Sequence, residues 1–279
     1  MIKILKTTLN ILLLITTVIL VACTTVQNSD TPADNRLQIY FINVGKGDAA
    51  LIGLPDNKWF MIDVGHADKH EEVIRVLKDN NVKELEAIFI SHPHKDHVSA
   101  LKKVLEHVKC EIIYSTPVEF KDHSPMMREM AGDVPIQTLS AGDKLGIGDL
   151  KIDIIGPNGV FAEENDNSIV IMLDWKGKKA LFTGDQQINA EKALLKKGWK
   201  VKCDILKVGH HGQDTASSSE FLEKAAPDYC IVTNKYKGKK YDKVVDRLSE
   251  FGSKVFVLGT TGTLLFEIEE GNIRFFGIE

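Results

Sequence analysis

Residues 91–97 of the chain, Ser-His-Pro-His-Lys-Asp-His, bring together side chains that bind metal ions. Three of the nine histidines, His92, His94 and His97, fall in this segment together with Asp96. Imidazole nitrogen combined with carboxylate oxygen suits zinc, and it also suits manganese or iron. The spacing predicts that His92 and His94 reach one ion, whereas Asp96 and His97 reach a second. The segment is therefore a candidate metal-binding loop.

Buried strands are expected to position this loop and its partners. The apolar run Ala87–Ile90 precedes the loop and predicts a buried strand, which fixes the directions of the side chains that follow it. Three other apolar runs also end on polar residues beside glycine, namely Asp63, Asp185 and the pair His210-His211. Because strand ends converge at one edge of a sandwich, we expect these residues to join the loop.

The rest of the chain indicates an α/β fold. Strand-like runs bunch in meanders and then alternate with amphipathic helical segments, which favours mixed sheets with helices outside. No repeat with shared motifs is visible. Because no linker interrupts residues 37–279, we predict one hydrolase-sized domain there.

The first residues have the pattern of a bacterial lipoprotein signal peptide. In residues 1–22 two lysines precede an apolar run, and Leu-Val-Ala-Cys at 20–23 resembles the site at which Cys23 is lipidated. A single membrane-spanning anchor is the alternative, although the run is short for one. Residues 23–36 are predicted to be a flexible tether. Both alternatives place the bulk of the protein outside the cytoplasm, tethered to a membrane.

The net charge of the chain narrows the classes of partner that it can bind. The formal net charge is −4, and loss of the two lysines of residues 1–22 makes it −6. An acidic protein is not a general polyanion binder, so nucleic-acid affinity must come from a local patch or from metal.

Apart from Cys23, the cysteines are Cys110, Cys203 and Cys230. An odd number argues against a disulfide framework and predicts buried free thiols.

Four segments together resemble the metallo-β-lactamase fold superfamily: IDVG at 62–65, SHPHKDH at 91–97, FTGD at 182–185 and LKVGHHG at 206–212. The opening FINVGKGDAALI at 41–52 is similar to the ComEC-like branch, which includes the extracytoplasmic nuclease-like domain of competence DNA-uptake channels. The resemblance spans residues 37–279. It implies a four-layer αββα sandwich in which two mixed β-sheets carry outer helices.

The resemblance also implies roles for single residues. It implies two divalent ions, zinc or manganese. His92 and His94 would hold the first ion. The second would be held by Asp96, His97 and one histidine of the 210–211 pair, and Asp185 would bridge both ions. The sequence leaves the order of the pair open, and we expect His210 to bind metal and His211 to contact a substrate phosphate. Asp96 would also accept a proton. Asp63 is expected to support the loop by hydrogen bonding.

The chain departs from the superfamily pattern at the first ion. Many members supply a third histidine between the loop and the bridging aspartate, and this interval holds His107 and His123 here. We expect His107 to lie on the surface or in packing, and His123 to be a weaker candidate for the site. The stretch 165–168 matches the Asn/Ser-rich stretch of the ComEC-like branch. Within it, Asp166 or Asn167 can complete a weak first site or position substrate beside Ser168.

Basic residues can line a phosphate track beside the metals. Lys95 lies inside the metal-binding loop and Lys46 in the glycine-rich opening. A further cluster, Lys235, Lys237, Lys239 and Lys240, is better explained as a solvated turn.

Together these features predict a membrane-tethered, metal-dependent phosphodiesterase, with DNA as the expected substrate. The first alternative is an enzyme that cleaves another phosphodiester, such as choline phosphate or teichoic-acid groups of a cell envelope. A β-lactamase is less favoured because the third histidine is missing. A non-catalytic surface-binding lipoprotein is the remaining alternative, and the complete loop, Asp185 and the histidine pair argue against it.

Overall fold

A computed structural model of the protein describes residues 35–234 and 239–278, and for Lys239 and Lys240 it describes the backbone. The predicted signal peptide, Cys23, most of the tether and the Lys235–Lys240 side chains lie outside the described residues. Asn35–Glu279 group as one compact unit. Within the described ranges, no helix has both the length and the apolar character needed to cross a membrane.

Short strands supply most of the structure. In chain order they are β1 (Leu37–Phe41), β2 (Ala49–Leu54), β3 (Lys58–Val64), β4 (Glu84–Leu85), β5 (Ala87–Ile90), β6 (Lys109–Cys110), β7 (Ile113–Ser115), β8 (Ile136–Thr138), β9 (Lys144–Ile147), β10 (Leu150–Gly156), β11 (Val170–Trp175), β12 (Lys178–Phe182), β13 (Ile205–Lys207), β14 (Tyr229–Val232), β15 (Lys254–Val257), β16 (Thr263–Glu269) and β17 (Asn272–Ile278).

Two mixed sheets and one short ladder contain these strands. The first sheet has the order β17-β16-β1-β2-β3-β5-β7-β8, and its strands from β3 to β8 pair in parallel. The second has the order β15-β14-β13-β12-β11-β10-β9, and its strands from β12 to β15 pair in parallel. The ladder pairs β4 with β6. The remaining pairs in both sheets are antiparallel.

Helices cover the outer faces of both sheets. They are α1 (His70–Asp79), α2 (Lys95–Val98), α3 (Leu101–Leu105), α4 (His123–Ala131), α5 (Ile188–Lys196), α6 (Ser219–Ala225), α7 (Lys239–Glu250) and α8 (Leu258–Thr261). Helix α6 begins directly after Ser218, whose side chain caps it by accepting a hydrogen bond from the Phe221 amide. Single 3-10 turns occur at Pro55–Asn57, Ala67–Lys69, Glu164–Asn167 and Gly209–Gly212.

Three buried apolar cores hold four layers together. The central core lies between the sheets and includes Phe41, Phe60 and Phe182. A second core packs the outer face of the first sheet against α1, α3 and α4, and a third packs the second sheet against α5, α6 and α7. This arrangement confirms the αββα sandwich. Since the unit closes its own cores, residues 35–279 can fold independently of the preceding segment.

The predicted thiols are free, but they differ in exposure. Cys203 and Cys230 are buried, whereas Cys110 is partly exposed. Cys110 lies in β6, which belongs to the small ladder and not to either main sheet. Its thiol is therefore less covered than the sequence pattern suggests.

Candidate metal centre

The metal-binding loop follows β5, and Asp63 of the neighbouring strand β3 holds it by hydrogen bonds. Asp63 is the penultimate residue of β3 and has a left-handed φ of 55°, a conformation that aspartate tolerates. Its carboxylate accepts hydrogen bonds from the Ser91 amide at 2.7 Å and the Ser91 hydroxyl at 2.8 Å. The His97 Nδ1 lies 2.9 Å from the same carboxylate. Asp63 therefore fixes both the start of the loop and the orientation of a histidine ring.

His97 is fully buried and points its second nitrogen at Asp185. With Nδ1 held by Asp63, the Nε2 atom lies 3.3 Å from Asp185 Oδ1. A carboxylate behind a histidine fixes its tautomer and leaves the other nitrogen free for a metal ion.

Asp185 reaches the site because the chain turns tightly after β12. Gly184 has a left-handed φ of 52°, and a Cβ there would lie 2.8 Å from the Ser168 Cβ and 2.9 Å from the Ser91 Cβ. The Asp185 amide donates to the Ser168 hydroxyl at 3.2 Å. Ser168 also lies 3.2 Å from the His92 Nδ1, so it positions two candidate ligands at once.

His210 and His211 are consecutive, but their rings occupy different places. Both have left-handed backbone angles, and their ring centroids lie 6.2 Å apart. His211 is fully buried, with its Nε2 3.1 Å from Asp185 Oδ2 and 3.4 Å from Asp96 Oδ2. The sharp turn therefore brings the second histidine of the pair to the carboxylates.

The first histidine of the pair lies at the rim. The His210 Nδ1 is 2.7 Å from the Thr215 hydroxyl, and its Nε2 is 3.3 Å from the Asn165 amide nitrogen. Burial lowers the pKa of His210 to about 4, so its ring is neutral at pH 7. This order is the reverse of the one expected from the sequence, because the turn between Gly209 and Gly212 directs His211 inward.

Asp48 braces His211 in the way that Asp63 braces His97. The Asp48 carboxylate lies 3.2 Å from the His211 Nδ1 and accepts a hydrogen bond from the Thr233 hydroxyl at 2.6 Å. It also forms a buried ion pair with Lys207, whose ammonium donates to the Gly184 carbonyl at 2.8 Å. The turn that presents Asp48 requires Gly47, because a Cβ there would lie 2.5 Å from the Asp96 carbonyl oxygen.

Several buried atoms of this cluster converge without hydrogen bonds. Within the described residues, His97 Nε2, His211 Nε2 and Asp185 Oδ1 have no hydrogen-bond partner. One ligand atom each from Asp48, His97, Asp185 and His211 lies within 4.8 Å of the others. An unsatisfied buried polar group costs about 1–3 kcal/mol, so three together favour a missing partner. Imidazole nitrogen and carboxylate oxygen fit a divalent transition metal.

The electrostatics of the cluster attract positive charge. Burial alone would lower the pKa of both histidines, but the carboxylates outweigh it. Asp185 and Asp48 raise the pKa of His211 to about 10, and Asp185, Asp63 and Asp48 hold that of His97 well above its usual range. Burial would raise the pKa of Asp185, yet the two histidines hold it well below normal. The pocket therefore favours a proton or a cation.

His92 is fully buried beside the cluster, whereas its neighbour His94 is partly exposed and belongs to a second, more open group of side chains. The His92 Nε2 lies 3.0 Å from the His94 Nδ1, and burial keeps the pKa of His92 well below its usual value. The His94 Nε2 lies 2.8 Å from a carboxylate oxygen of Glu164. The ring of His123 lies 4.9 Å from that of His94, and its buried Nδ1 has no partner within the described residues. His94, His123 and Glu164 thus form a second candidate ligand group.

Asp96 and the two loop lysines lie on the open side of the site. The Asp96 side chain is 21% exposed, and its carboxylate lies 2.9 Å from the Lys46 ammonium. Burial would raise the pKa of Asp96, but the adjacent His211 and His97 hold it far below normal, so it is ionised. Lys95 is exposed at the start of α2. Lys46 and Asp96 therefore form a charged pair at the mouth.

Asp166 and Asn167 are not positioned as ligands or substrate contacts, in contrast to the expectation. Asp166 accepts a hydrogen bond from the Gln187 amide at 2.7 Å, directly before α5. Asn167 bonds the backbone of Phe161 and the Glu163 carbonyl. Both side chains are buried, and their hydrogen bonds go to backbone groups. From this stretch, Ser168 reaches the metal centre.

The sequence interpretation did not assign roles to Asp48, Lys207 or Glu164. Lys207 is a charged residue within an apolar strand, a pattern that indicates a buried partner. Asp48 follows a glycine between two apolar strands, as Asp185 does. Glu164 carries no such signal, because it lies in a polar loop. His107 is partly exposed, and it belongs to neither ligand group of the described residues.

Comparison with known proteins identifies the family. The model of the metallo-beta-lactamase superfamily matches residues 42–232. The chain belongs to this superfamily. The fold agrees, since the metallo-beta-lactamase fold protein YhfI of Bacillus subtilis superposes with a TM-score of 0.57 at 13% identity, covering 84% of this chain and 99% of that one.

Curated relatives place the chain in the ComEC-like branch. It is 25% identical over 254 residues to ComE operon protein 3 of Bacillus subtilis, covering 82% of this chain and 33% of that protein. It is 23% identical over 249 residues to competence protein ComA of Neisseria gonorrhoeae, covering 86% and 34%. The chain spans about a third of the length of these relatives. Family, fold and buried ligand cluster together indicate a metal-dependent hydrolase.

Proposed function

We propose that this chain is an extracytoplasmic phosphodiesterase that cleaves DNA with two divalent ions, zinc or manganese. The observation that carries the proposal is the convergence of His97 Nε2, His211 Nε2 and Asp185 Oδ1 without hydrogen bonds. Similarity to a competence protein supports DNA as the substrate. The proposed lipid anchor on Cys23 rests on the sequence pattern of residues 1–23.

The ligand assignment follows the two groups of side chains. We assign His97, His211, Asp96 and Asp185 to one ion, because their nitrogen and carboxylate oxygen atoms face each other within 3.1–4.0 Å. His92 and His94 would hold the other ion, and Asp185 would contribute to both. His210 takes the substrate-facing role that the sequence interpretation gave to His211, because it lies at the rim. Asp48 and Asp63 orient the histidines and bind no metal.

Bound divalent ions supply a nucleophile from water at neutral pH and neutralise charge on phosphate oxygens. The ionised carboxylate of Asp96 faces the opening, where it can accept a hydrogen bond from an attacking water and orient it. The Lys46 ammonium beside it can donate to a phosphate oxygen. The neutral ring of His210 can donate its one N–H to the same group when that hydrogen bond replaces the one to the Thr215 hydroxyl. These four interactions suit a phosphodiester better than a neutral substrate.

A nuclease assay on residues 35–279 tests the proposal. The protein is stripped with a chelator and assayed on linear and circular DNA, with manganese or zinc restored. We expect metal-dependent cleavage by the parent and its loss in Asp96→Ala. Cleavage of circles would identify an endonuclease.

The control is Asp149→Ala, which removes one exposed carboxylate from a turn outside the metal centre and should cleave like the parent. A chromogenic phosphodiester, such as the nitrophenyl ester of choline phosphate, is assayed beside DNA. Turnover of this ester by a folded, metal-loaded protein that leaves DNA intact would reject DNA and favour an envelope phosphodiester. No turnover of either substrate would reject the phosphodiesterase.

A further inference from the structure

A large lysine-rich cleft lies away from the metal centre. It has a volume of about 1080 Å³ and lies beside the C-terminal ends of α5 and α6. Its lining includes Lys192, Lys196, Lys200, Lys202 and Lys224. Each of these five residues is exposed. The cleft is therefore a concentrated source of positive charge on a chain whose formal net charge is −4.

These five ammonium groups are available to an external partner. In the part of the chain that the structure describes, none of them forms an ion pair with a carboxylate. The acidic residues in the lining are Asp204, Glu220 and Asp228, and Asp204 is already paired with Lys178 at 2.7 Å. The lysines thus outnumber the free carboxylates, which suits a surface that carries many negative charges.

The topology separates this cleft from the metal centre. Lys179 lies near the start of β12, whereas Asp185 follows the end of the same strand. Asp204 and Asp228 likewise precede the parallel strands β13 and β14, whose far ends lead to His211 and Thr233. The cleft therefore lies at the opposite edge of the second sheet from the metal centre. A substrate held in the cleft would not lie against the catalytic residues.

The described chain begins at the same edge as the cleft. The side-chain oxygen of Asn35 accepts a hydrogen bond from Lys176 at 2.5 Å, and Lys176 is next to Gly177 of the cleft lining. Twelve peptide steps separate Asn35 from Cys23 (35 − 23 = 12), and even fully extended they span at most about 43 Å. A lipid on Cys23 would therefore hold this edge within about 43 Å of the bilayer, which allows the cleft to reach the membrane.

We propose that the lysine-rich cleft docks on an anionic membrane surface, with lipid phosphate groups as its partners. The inference rests on the proposed lipid anchor for its orientation and not on the proposed catalysis. Docking at this edge turns the metal centre away from the membrane, toward soluble substrate. Lysines near an anionic surface each strengthen binding about fivefold, and salt weakens the attraction.

The test measures sedimentation of residues 35–279 with vesicles, in the absence of Cys23 and its lipid. We expect binding to vesicles of phosphatidylcholine with phosphatidylglycerol, weakened by salt, and none to phosphatidylcholine alone. A cleft variant combines four changes: Lys192→Gln, Lys196→Gln, Lys200→Gln and Lys202→Gln. We expect it to bind at least about tenfold more weakly.

A control variant removes the same charge elsewhere: Lys78→Gln, Lys83→Gln, Lys102→Gln and Lys103→Gln. These exposed lysines lie in or near α1 and α3, on the other sheet, so vesicle binding should stay within about twofold of the parent. Equal binding by the cleft variant and the parent, or equal loss in both variants, would overturn the proposal. The far-ultraviolet circular dichroism of each variant verifies folding.

Two further measurements separate the alternatives. If short duplex DNA displaces the parent from vesicles, and the cleft variant loses DNA affinity as well, the cleft binds nucleic acid and the membrane proposal is wrong. Hydrolysis of a small soluble phosphodiester should be unchanged in both lysine variants. Absence of hydrolysis in the parent would count against the proposed function, while vesicle binding would still decide the docking surface.

Discussion

The metal centre has two halves that share a donor chemistry and differ in how the donors are held. In the buried half, Asp63 braces His97 and Asp48 braces His211, and both rings are fully buried. In the open half, His94 lies between His92 and Glu164, and the His94 and Glu164 side chains are 23% and 49% exposed. The buried half is thus fixed before metal arrives, whereas the open half must be organised by it.

If two ions bind as proposed, this difference implies that the centre holds them with unequal affinity. A carboxylate behind each histidine holds the ring and raises its basicity, which strengthens metal binding. In the open half, serine hydroxyls lie behind His92, and the exposed carboxylate of Glu164 lies behind His94. We therefore expect the buried half to retain an ion under conditions in which the open half loses one.

The largest effect is expected from Asp185→Asn, because Asp185 is the carboxylate that we assign to both ions. The change removes the negative charge that lies 3.3 Å from His97 Nε2 and 3.1 Å from His211 Nε2. We expect turnover of a phosphodiester to fall about a thousandfold, the scale of losing one electrostatic stabiliser. Metal content should fall with it. Steady-state kinetics with Asp149→Asn as the control provide the measurement, and a loss below tenfold would contradict the assignment.

Substitution of the carboxylates that hold the histidine rings, Asp63 and Asp48, should weaken metal binding in the buried half specifically. Asp63→Asn and Asp48→Asn keep the shape of each side chain but remove the charge behind His97 or His211. We expect each change to weaken binding of the tightly held ion about 10–100-fold, as is typical for such partners. Competition with a chromophoric chelator gives the affinity. Unchanged affinity in both variants would show that the carboxylates do not organise the buried half.

Changes in the open half should have smaller effects on the tightly held ion. Glu164→Gln and His123→Gln are expected to leave its affinity within about threefold, because neither side chain touches His97 or His211. The weakly held ion should be lost at a lower chelator concentration in both variants. His107→Gln is the matched histidine control. If Glu164→Gln instead released the tightly held ion, the division into two halves would be wrong.

Metal uptake should release protons from the buried half. In the metal-free protein at pH 8, His211 is protonated, because Asp185 and Asp48 outweigh its burial and raise its pKa to about 10. The pKa of His97 is also held well above its usual value by Asp185, Asp63 and Asp48. Metal binding requires neutral rings, so we expect release of at least one proton, that of His211, for the tightly held ion and an affinity that rises with pH. Calorimetry in buffers of different ionisation enthalpy counts the released protons. Release of none would contradict the electrostatic account.

The sequence predicted those parts of the site that depend on one strand and the loop after it. Asp63, the metal-binding loop and Asp185 each follow an apolar run, and each lies at the predicted sheet edge. The four-layer fold was also predicted, through the resemblance and the alternation of strands and helices. These positions can be predicted from a single sequence because each one depends only on where one strand ends.

Features that depend on contacts between distant segments were not predicted. The Asp48–Lys207 ion pair joins the first sheet to the second, and no spacing in the sequence relates the two residues. The order of His210 and His211 depends on two consecutive left-handed residues, a conformation without a sequence signal here. The apolar spacing of residues 98–108 favours one amphipathic helix, but the helix is interrupted near Ala100, whose amide donates to the Gly65 carbonyl at 3.1 Å.

The most direct test of the account compares metal content in His211→Ala and His210→Ala, two neighbouring substitutions of identical chemistry. Each protein is dialysed against a limiting chelator and its bound zinc or manganese is counted. The account predicts that His211→Ala loses the tightly held ion, whereas His210→Ala keeps it and loses activity alone. Retention of the ion by His211→Ala, with its loss from His210→Ala, would contradict the assignment of the buried half.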